Sequence, residues 1–313
     1  MVAIGNFDGV HRGHVDVLSR AGRDAREAGI APLALTFDPP PAVVLGKKTP
    51  AALTPLERKI ELIEAAVPGI RVVVKAFDHA LADSSPEQFA REVLVGELCA
   101  VRVVVGQNFR FGKGRSGDLS TLATLGPELG FSAHAMEIVG DAKGSWSSTR
   151  VRQAIAAGDW DDVLVVLGRP HALSGVVVRG EQRGRTIGFP TTNLGDVSEV
   201  LPPNGVYAVL VDRLDRTEGP RAFARGVANI GVRPTVGAGP ATEVHLLDFE
   251  PKNDEDRDLY GARLRVHIVT FLRAERKFES LDALKNQIAS DADAARKILA
   301  PKKPVPGLLG GWY

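Results

Sequence analysis

The sequence predicts an α/β domain with a doubly wound parallel sheet, followed by an all-β domain that closes with a helix. Three observations carry this. The 313-residue chain is long enough for two ordinary domains. Up to about residue 168, short apolar runs alternate with helical patterns, the signature of strands joined by crossover helices. From 172 to 271 the helical period is gone, and apolar runs are separated only by Gly, Pro and Asn turns. The expected division is therefore 1–168, 169–300 and a Pro/Gly-rich, flexible tail at 301–313.

In the first part, "MVAI", "APLALTF" (31–37), "RVVVKAF" (71–77), "VRVVVG" (101–106) and "FSAHAMEI" (131–138) are continuous apolar runs. Runs of that length suit strands buried on both faces of a parallel sheet. Between them, Thr54 with Pro55 and Glu57, and Ser85 with Pro86 and Gln88, supply a cap, a first-turn proline and a capping box. In the second part "SGVVVRG", "GVYAVLVD", "ARGVANIGV", "ATEVHLLDF" and "ARLRVHIVTF" read as strands of a small antiparallel barrel or sandwich. A final amphipathic stretch has Ser280 as its cap and Leu281, Leu284, Ile288 and Ala292 on one face. The opening "MVAIGNFDG" gives the first strand a short lead-in, and the expectation is a chain or family that begins further upstream.

Composition narrows the function classes. Hydrophobic residues make up 44% and charged residues 25%, ordinary for a water-soluble protein. A net charge of +1, no long Lys/Arg run and 6% aromatics argue against a nucleic acid or a membrane surface as partner. No apolar run approaches the roughly 18 residues of a membrane span. Cys99, the single cysteine, forms no intrachain disulfide and fits a cytoplasmic setting. Nothing in the sequence fixes an oligomeric state.

Three stretches follow strands or open helices. "GNFDGVHRGH" (5–14) places His11 and His14 around Gly13 at a strand-to-helix corner, where backbone N–H groups and the helix dipole favour anions. An H-x-x-H alone is more often the pattern of two packed structural histidines, and no third ligand lies nearby with metal-site spacing. "VGQNFRFGKGRSGD" (105–118) is a glycine-punctuated loop with Arg110, Lys113 and Arg115, which read alone is a solvated basic loop. "WSSTRVRQAI" (146–155) brings Ser147, Ser148 and Thr149 before Arg150 and Arg152, more than a cap requires. Together these corners offer imidazole, amide, hydroxyl and guanidinium donors without an acidic nucleophile. That inventory suits nucleotidyl transfer, in which the substrates supply the nucleophile and the protein positions and stabilises charge.

"GNFDGVHRGH" resembles the H-x-G-H signature of nucleotidyltransferases related to class I aminoacyl-tRNA synthetases, and "SSTR" resembles their second phosphate-binding motif. With "TFDP", "LTPLERKIELI", "VVVGQNFRFGKGRSGD" and "SSTRVRQAI", the ordered set is similar to the adenylyltransferase module of prokaryotic bifunctional riboflavin kinase/FAD synthetases. "GVVVRGEQRGRTIGFPTTNL", "GVYAV", "GVANIGVRPTVG", "EVHLLDF", "LYGARL" and "FLRAERKFESLDALKNQI" are similar to that family's kinase module. The resemblance runs from residue 3 to about 297. It implies a nucleotidyltransferase sheet domain, a six-stranded antiparallel β-barrel with a C-terminal helix, and two Mg²⁺-dependent reactions. Riboflavin and ATP give FMN and ADP in the barrel; FMN and a second ATP give FAD and pyrophosphate in the first domain.

Carried over by position, the resemblance places Gly5, Phe7, Asp8, Gly9, His11, His14, Asn108, Arg110, Ser148, Thr149 and Arg150 around ATP and FMN, with His11 and His14 bracing the α-phosphate. Thr191 and Asn193 of "GFPTTNL" match positions that bind Mg²⁺ and ATP phosphates, with Thr192 in place of the usual alanine. Read alone, the stretch is equally a turn joining strands. Glu243 matches the general base of riboflavin phosphorylation. On an alternating strand it shares a face with His245 and Leu247, and read alone it is a solvent-facing carboxylate. "RGEQRGRTIG" resembles a flap over the nucleotide, and "NIGVRPT" a further wall.

One departure bears on activity. The family usually carries "TFxPHP", and here Pro40 stands where the histidine is expected. Proline keeps an extended backbone but offers no donor, so FAD synthesis is expected to be present but weakened; a kinase with an impaired or regulatory first domain is the alternative. Pro40→His is expected to raise the rate of FMN adenylylation severalfold, read by chromatography of FAD formed from FMN and ATP. An unchanged or lower rate removes the effect assigned to this proline.

Overall fold

The computed structural model describes residues 1–180, 188–214, 219–232, 240–251, 254–305 and 311–313. Contacts divide the chain into two compact units, Met1–Pro50 with Thr54–Arg150, and Ala51–Leu53 with Val151–Tyr313.

The first unit is built on five strands, β1 (Val2–Ile4), β2 (Leu33–Asp38), β3 (Arg71–Ala76), β4 (Arg102–Gly106) and β5 (Ser132–Met136), in the order β3-β2-β1-β4-β5. All pairings are parallel. Helices α1 (Arg12–Glu27), α2 (Pro41–Val44), α3 (Leu56–Ala66), α4 (His79–Asp83), α5 (Pro86–Gln88) and α6 (Leu119–Leu129) connect them, α5 continuing in π turns over Phe89–Glu97. One core joins Val2, Ile4, Leu35, Phe37, Val103 and Val105 of the central strands to Phe89, Val93, Leu94 and Leu122. Burial on both faces holds for β1; the edge strands β3 and β5 keep several residues half-buried or exposed, because each has a neighbour on one side only. Strand order reverses between β1 and β4, which makes their carboxyl ends the switch point where ligands of such sheets bind.

Ser85 and Gln88 form the expected capping box. Thr54 does not cap α3: the helix starts after Pro55 without a side-chain cap, and the Thr54 hydroxyl accepts the Gly9 N–H at 3.1 Å instead. A two-stranded hairpin, β6 (Gly140–Asp141) and β7 (Gly144–Ser145), was not expected. Helix α7 (Ser148–Ala157) follows it, then α8 (Trp160–Leu167). Packing divides the chain at Arg150, inside α7, whereas the sequence pattern puts the break near 168. The buried side chains of both helices past that point, Val151, Ile155, Val163 and Val166, belong to the second unit.

That unit is a closed antiparallel barrel of β8 (Ala172–Val178), β9 (Thr192–Gly195), β10 (Gly205–Arg213), β11 (Arg221–Val232), β12 (Pro240–Leu247) and β13 (Arg263–Arg273), ordered β10-β11-β12-β9-β8-β13. Residue-level reading saw five of these runs. The sixth, β9, is the "TNLG" stretch read alone as a turn; it closes the barrel between β8 and β12. Leu173, Val177, Tyr207, Val209, Val244, Leu264, Val266 and Ile268 fill the interior. Burial pushes the Tyr207 phenol up to about 12. The helix Leu281–Leu299 is capped by Ser280 as expected and covers part of the outer surface with Ala292, Ala295 and Leu299. Leu281, expected on its buried face, is exposed, because only the second half of the helix meets the barrel.

The end of the chain is not a loose tail where it is described. Trp312 is 5% exposed, donates its indole N–H to the Val211 carbonyl at 3.0 Å and lies under the Arg225 guanidinium. Arg225 also donates to the carbonyls of Leu299 and Lys302, so helix end and terminus share one anchor. Trp312→Ala is expected to cost about 3 kcal/mol of barrel stability, measured as a shift of the denaturation midpoint; an unchanged midpoint would mean the indole is not packed in solution.

Candidate active sites

The turn from β1 into α1 is held in an unusual backbone. Phe7 and Val10 take positive φ (46° and 36°), as does Gly9 (85°). For a β-branched residue such as Val10 this is costly, so the turn persists only because its surroundings fix it. Thr54 receives the Gly9 N–H and gives its own N–H to the Asp8 carboxylate at 3.3 Å. The Ser148 hydroxyl donates to the Asp8 carbonyl at 2.8 Å. Gly13 is closely enclosed: a Cβ there would stand 3.0 Å from the Trp146 carbonyl oxygen and 3.1 Å from the His11 ring. Gly5 likewise sits under the Phe7 ring, 2.9 Å from the position of a Cβ.

His11 caps α1, its Nδ1 accepting the His14 N–H at 3.3 Å. The two rings stack at 3.6 Å, and Phe7 meets His14 edge-on at 5.4 Å. The packing expected of two structural histidines is thus present in this pair. An Nδ1 that accepts is the unprotonated nitrogen, so a neutral His11 ring carries its proton on Nε2, as a donor. Gly5, Phe7, Asp8, Gly9, His11, His14 and Ser148 therefore belong to one constellation.

The other predicted residues divide. Asn108 and Arg110 are exposed on the loop leaving β4, the strand beside β1, and the Arg110 guanidinium donates to the Phe109 carbonyl. Thr149 is exposed in the first turn of α7. Arg150 makes contacts within its own segment. Its guanidinium grips the Asp141 carboxylate with two bonds of 2.8 and 3.0 Å and the Gly144 carbonyl with a third. That contact, with the Trp146 indole N–H, holds the Asp141 carboxyl well below the usual carboxylate range. Arg150 clamps the β6–β7 hairpin through these contacts. Pro40 stands exposed at the start of α2, after β2.

On the barrel, register brings the second set together. Glu243 of β12 lies opposite Asn193 of β9 on one side and Asn229 of β11 on the other. Val244 points into the core, so Glu243 is on the outer face together with His245 and Leu247, as the alternation predicts. Asn193 is buried, and Gly180 packs directly on its amide, where a Cβ would approach Nδ2 to 2.3 Å. Thr191 precedes β9 by one residue and is half-buried, while the Thr192 hydroxyl donates to the Val244 carbonyl and ties β9 to β12. Asn229 donates to the Glu275 carboxylate at 3.4 Å, across the place where Gly231 leaves space for it. Most of the expected flap, 181–187, and residues 233–235 of the expected wall lie outside the described residues.

Two residues went unnoticed in the sequence. Glu275 could not be placed without the barrel register. Lys59 was legible in principle, because it stands one turn before Ile63 on the buried face of α3, where an ammonium is out of place.

Comparison with known proteins matches the two halves of the chain to two families. A family model described as FAD synthetase matches residues 1–150, and one described as riboflavin kinase matches 167–299. The bifunctional riboflavin kinase/FMN adenylyltransferase of Escherichia coli strain K12 is 40% identical over 307 residues, 97% of this chain and 94% of its own. Those of Pseudomonas fluorescens and Bacillus subtilis strain 168 are 40% and 37% identical, over 96% and 94% of this chain and 93% and 91% of theirs. A crystal structure from Streptococcus pneumoniae, described as a macrolide-efflux protein, superposes with a TM-score of 0.78 at 27% identity, covering 94% of this chain and 93% of that one. With the two matched halves in the order of the two sites, this chain belongs to the bifunctional riboflavin kinase/FMN adenylyltransferase family.

Proposed function

We propose that this chain makes FAD from riboflavin in two steps, one in each unit. In the barrel the 5′-hydroxyl oxygen of riboflavin attacks the γ-phosphate of ATP, the hydroxyl proton passes to the Glu243 carboxylate, and FMN and ADP result. In the first unit a phosphate oxygen of FMN attacks the α-phosphate of a second ATP, and pyrophosphate leaves. The observation that carries the reading is that each unit assembles its own set: His11, His14 and Ser148 around the β1–α1 turn, Asn193 and Glu243 in register on the barrel.

The imidazoles and the N–H groups of the turn supply donors to an anion at the start of α1, the role we assign to Gly5, Phe7, Asp8, Gly9, His11 and His14. Asn108, Arg110, Ser148, Thr149 and Arg150 complete the proposed nucleotide-binding set, Arg150 also holding the hairpin through Asp141. The functional boundary we place near 168, before β8, although packing divides the chain inside α7. Water, ATP and a reduced Cys99 are all compatible with the cytoplasm, the compartment we assign. Among the described residues no helix is long and apolar enough to cross a membrane. We assign no nucleic-acid partner.

Mg²⁺ fits the donors of the barrel site. Asn193 is in register with Glu243, and the Thr191 hydroxyl, the Asn193 amide oxygen and the Glu243 carboxylate are the kind of oxygen donors a hard cation takes. Among the described residues no group of three or more His, Cys, Asp or Glu could hold a metal by itself. Thr191 and Asn193 would hold an ion whose other ligands come from ATP, and when bound it would neutralise phosphate charge.

The two sets are separable by mutation. The double variant His11→Ala/His14→Ala is expected to lower FAD formation from FMN by about a hundredfold or more while riboflavin phosphorylation continues. Glu243→Gln is expected to lower FMN formation by about 10²-fold or more and leave FAD formation from added FMN unchanged. Chromatography of the flavins reads both. Loss of both activities in either variant contradicts the assignment.

A further inference from the structure

The side chain of Lys59 raises a question that the assigned site does not answer. It leaves α3 on the helix's buried face, and the residue is 6% exposed. No hydrogen bond or ion pair among the described residues holds its ammonium; what favours its charge is the field of Asp8, in the β1–α1 turn, and Asp38, at the carboxyl end of β2. Burial outweighs that field and lowers its pKa below the ordinary lysine value. An ammonium has three N–H donors and no acceptor, and burying most of the residue with no partner for those donors costs free energy. Its neighbours in α3 resolve the same problem locally, Arg58 by pairing with Glu61 at 2.9 Å.

Its place is informative. Asp8 and Asp38 follow β1 and β2, so the ammonium lies at the carboxyl edge of the sheet, the side on which the turn of His11 opens. The segment that carries it is tied to that turn by the two bonds between Thr54 and residues 8 and 9. Two carboxylates at a distance favour the charged form without using its donors. The chemistry left over, a charged three-donor group at a phosphate-handling edge, suits a phosphate oxygen.

We propose that Lys59 is a phosphate-binding residue of the adenylyl-transfer site, donating to an oxygen of ATP or of the FMN phosphate. This rests on the assignment of adenylyl transfer to the first unit. Lys59→Met, close in shape, removes the donors, and Lys59→Arg keeps the charge while widening the head group. KM for ATP and KM for FMN are measured separately in FAD formation, with riboflavin phosphorylation as an internal control on the same chain. Lys59→Met is expected to raise one KM by about tenfold or more, and the substrate affected identifies the bound phosphate. Lys59→Arg is expected to keep that KM closer to wild type. Should Lys59→Met fail to fold, Lys59→Arg alone decides, through a severalfold rise in the same KM and an unchanged value for the other substrate. Unchanged KM values for both substrates in folded, active variants overturn the proposal and leave the adenylyl-transfer reading intact. A wild-type chain that forms no FAD from FMN and ATP overturns the reading itself.

Discussion

The hydrogen bond from the Ser148 hydroxyl to the Asp8 carbonyl closes a sequence separation of 140 residues. The architecture of the first site depends on it. The turn that carries His11 and His14 contains Phe7 and Val10 at positive φ, a conformation an isolated segment would relax. Ser148 and Thr54 hold its backbone from two directions, and the missing side chain of Gly13 lets the Trp146 carbonyl close on the start of α1. Strain is thus maintained by contacts distant in sequence, which place the stacked imidazoles at the helix terminus.

The barrel reaches its geometry by a different route. Period-two alternation decides that Val244 enters the core and Glu243 does not, and register alone sets Glu243 between Asn193 and Asn229. The C-terminal helix and Trp312 cover one part of the outer face, around Leu210 and Leu247, and the polar row belongs to the remainder. A carboxylate on an outer strand face is normally unremarkable. Here a buried amide lies beside it and the Gly180 backbone lies over that amide, so the row is partly desolvated and fixed.

Long, strongly patterned elements were legible in the sequence. The strands of the sheet, five barrel strands, the Ser85 and Ser280 caps and the corner placement of "GNFDGVHRGH" follow from periodicity and capping chemistry. Short elements were not: β9 has four residues and the β6–β7 hairpin two per strand, too few for any period to show. The hairpin matters, because it holds Asp141, the carboxylate that Arg150 of "SSTR" grips. Thr54 looked like a helix cap because its local sequence is one, and tertiary structure used the hydroxyl for Gly9 instead. Trp312 gave no pattern, since a lone aromatic near a terminus acquires meaning only from the barrel surface it meets.

Both halves of the account meet in one time course. Purified wild-type chain is given riboflavin, excess ATP and Mg²⁺, and the flavins are separated at intervals. The account predicts that FMN appears first and then declines as FAD and pyrophosphate accumulate. Permanent arrest at FMN, with ATP still present, would contradict it.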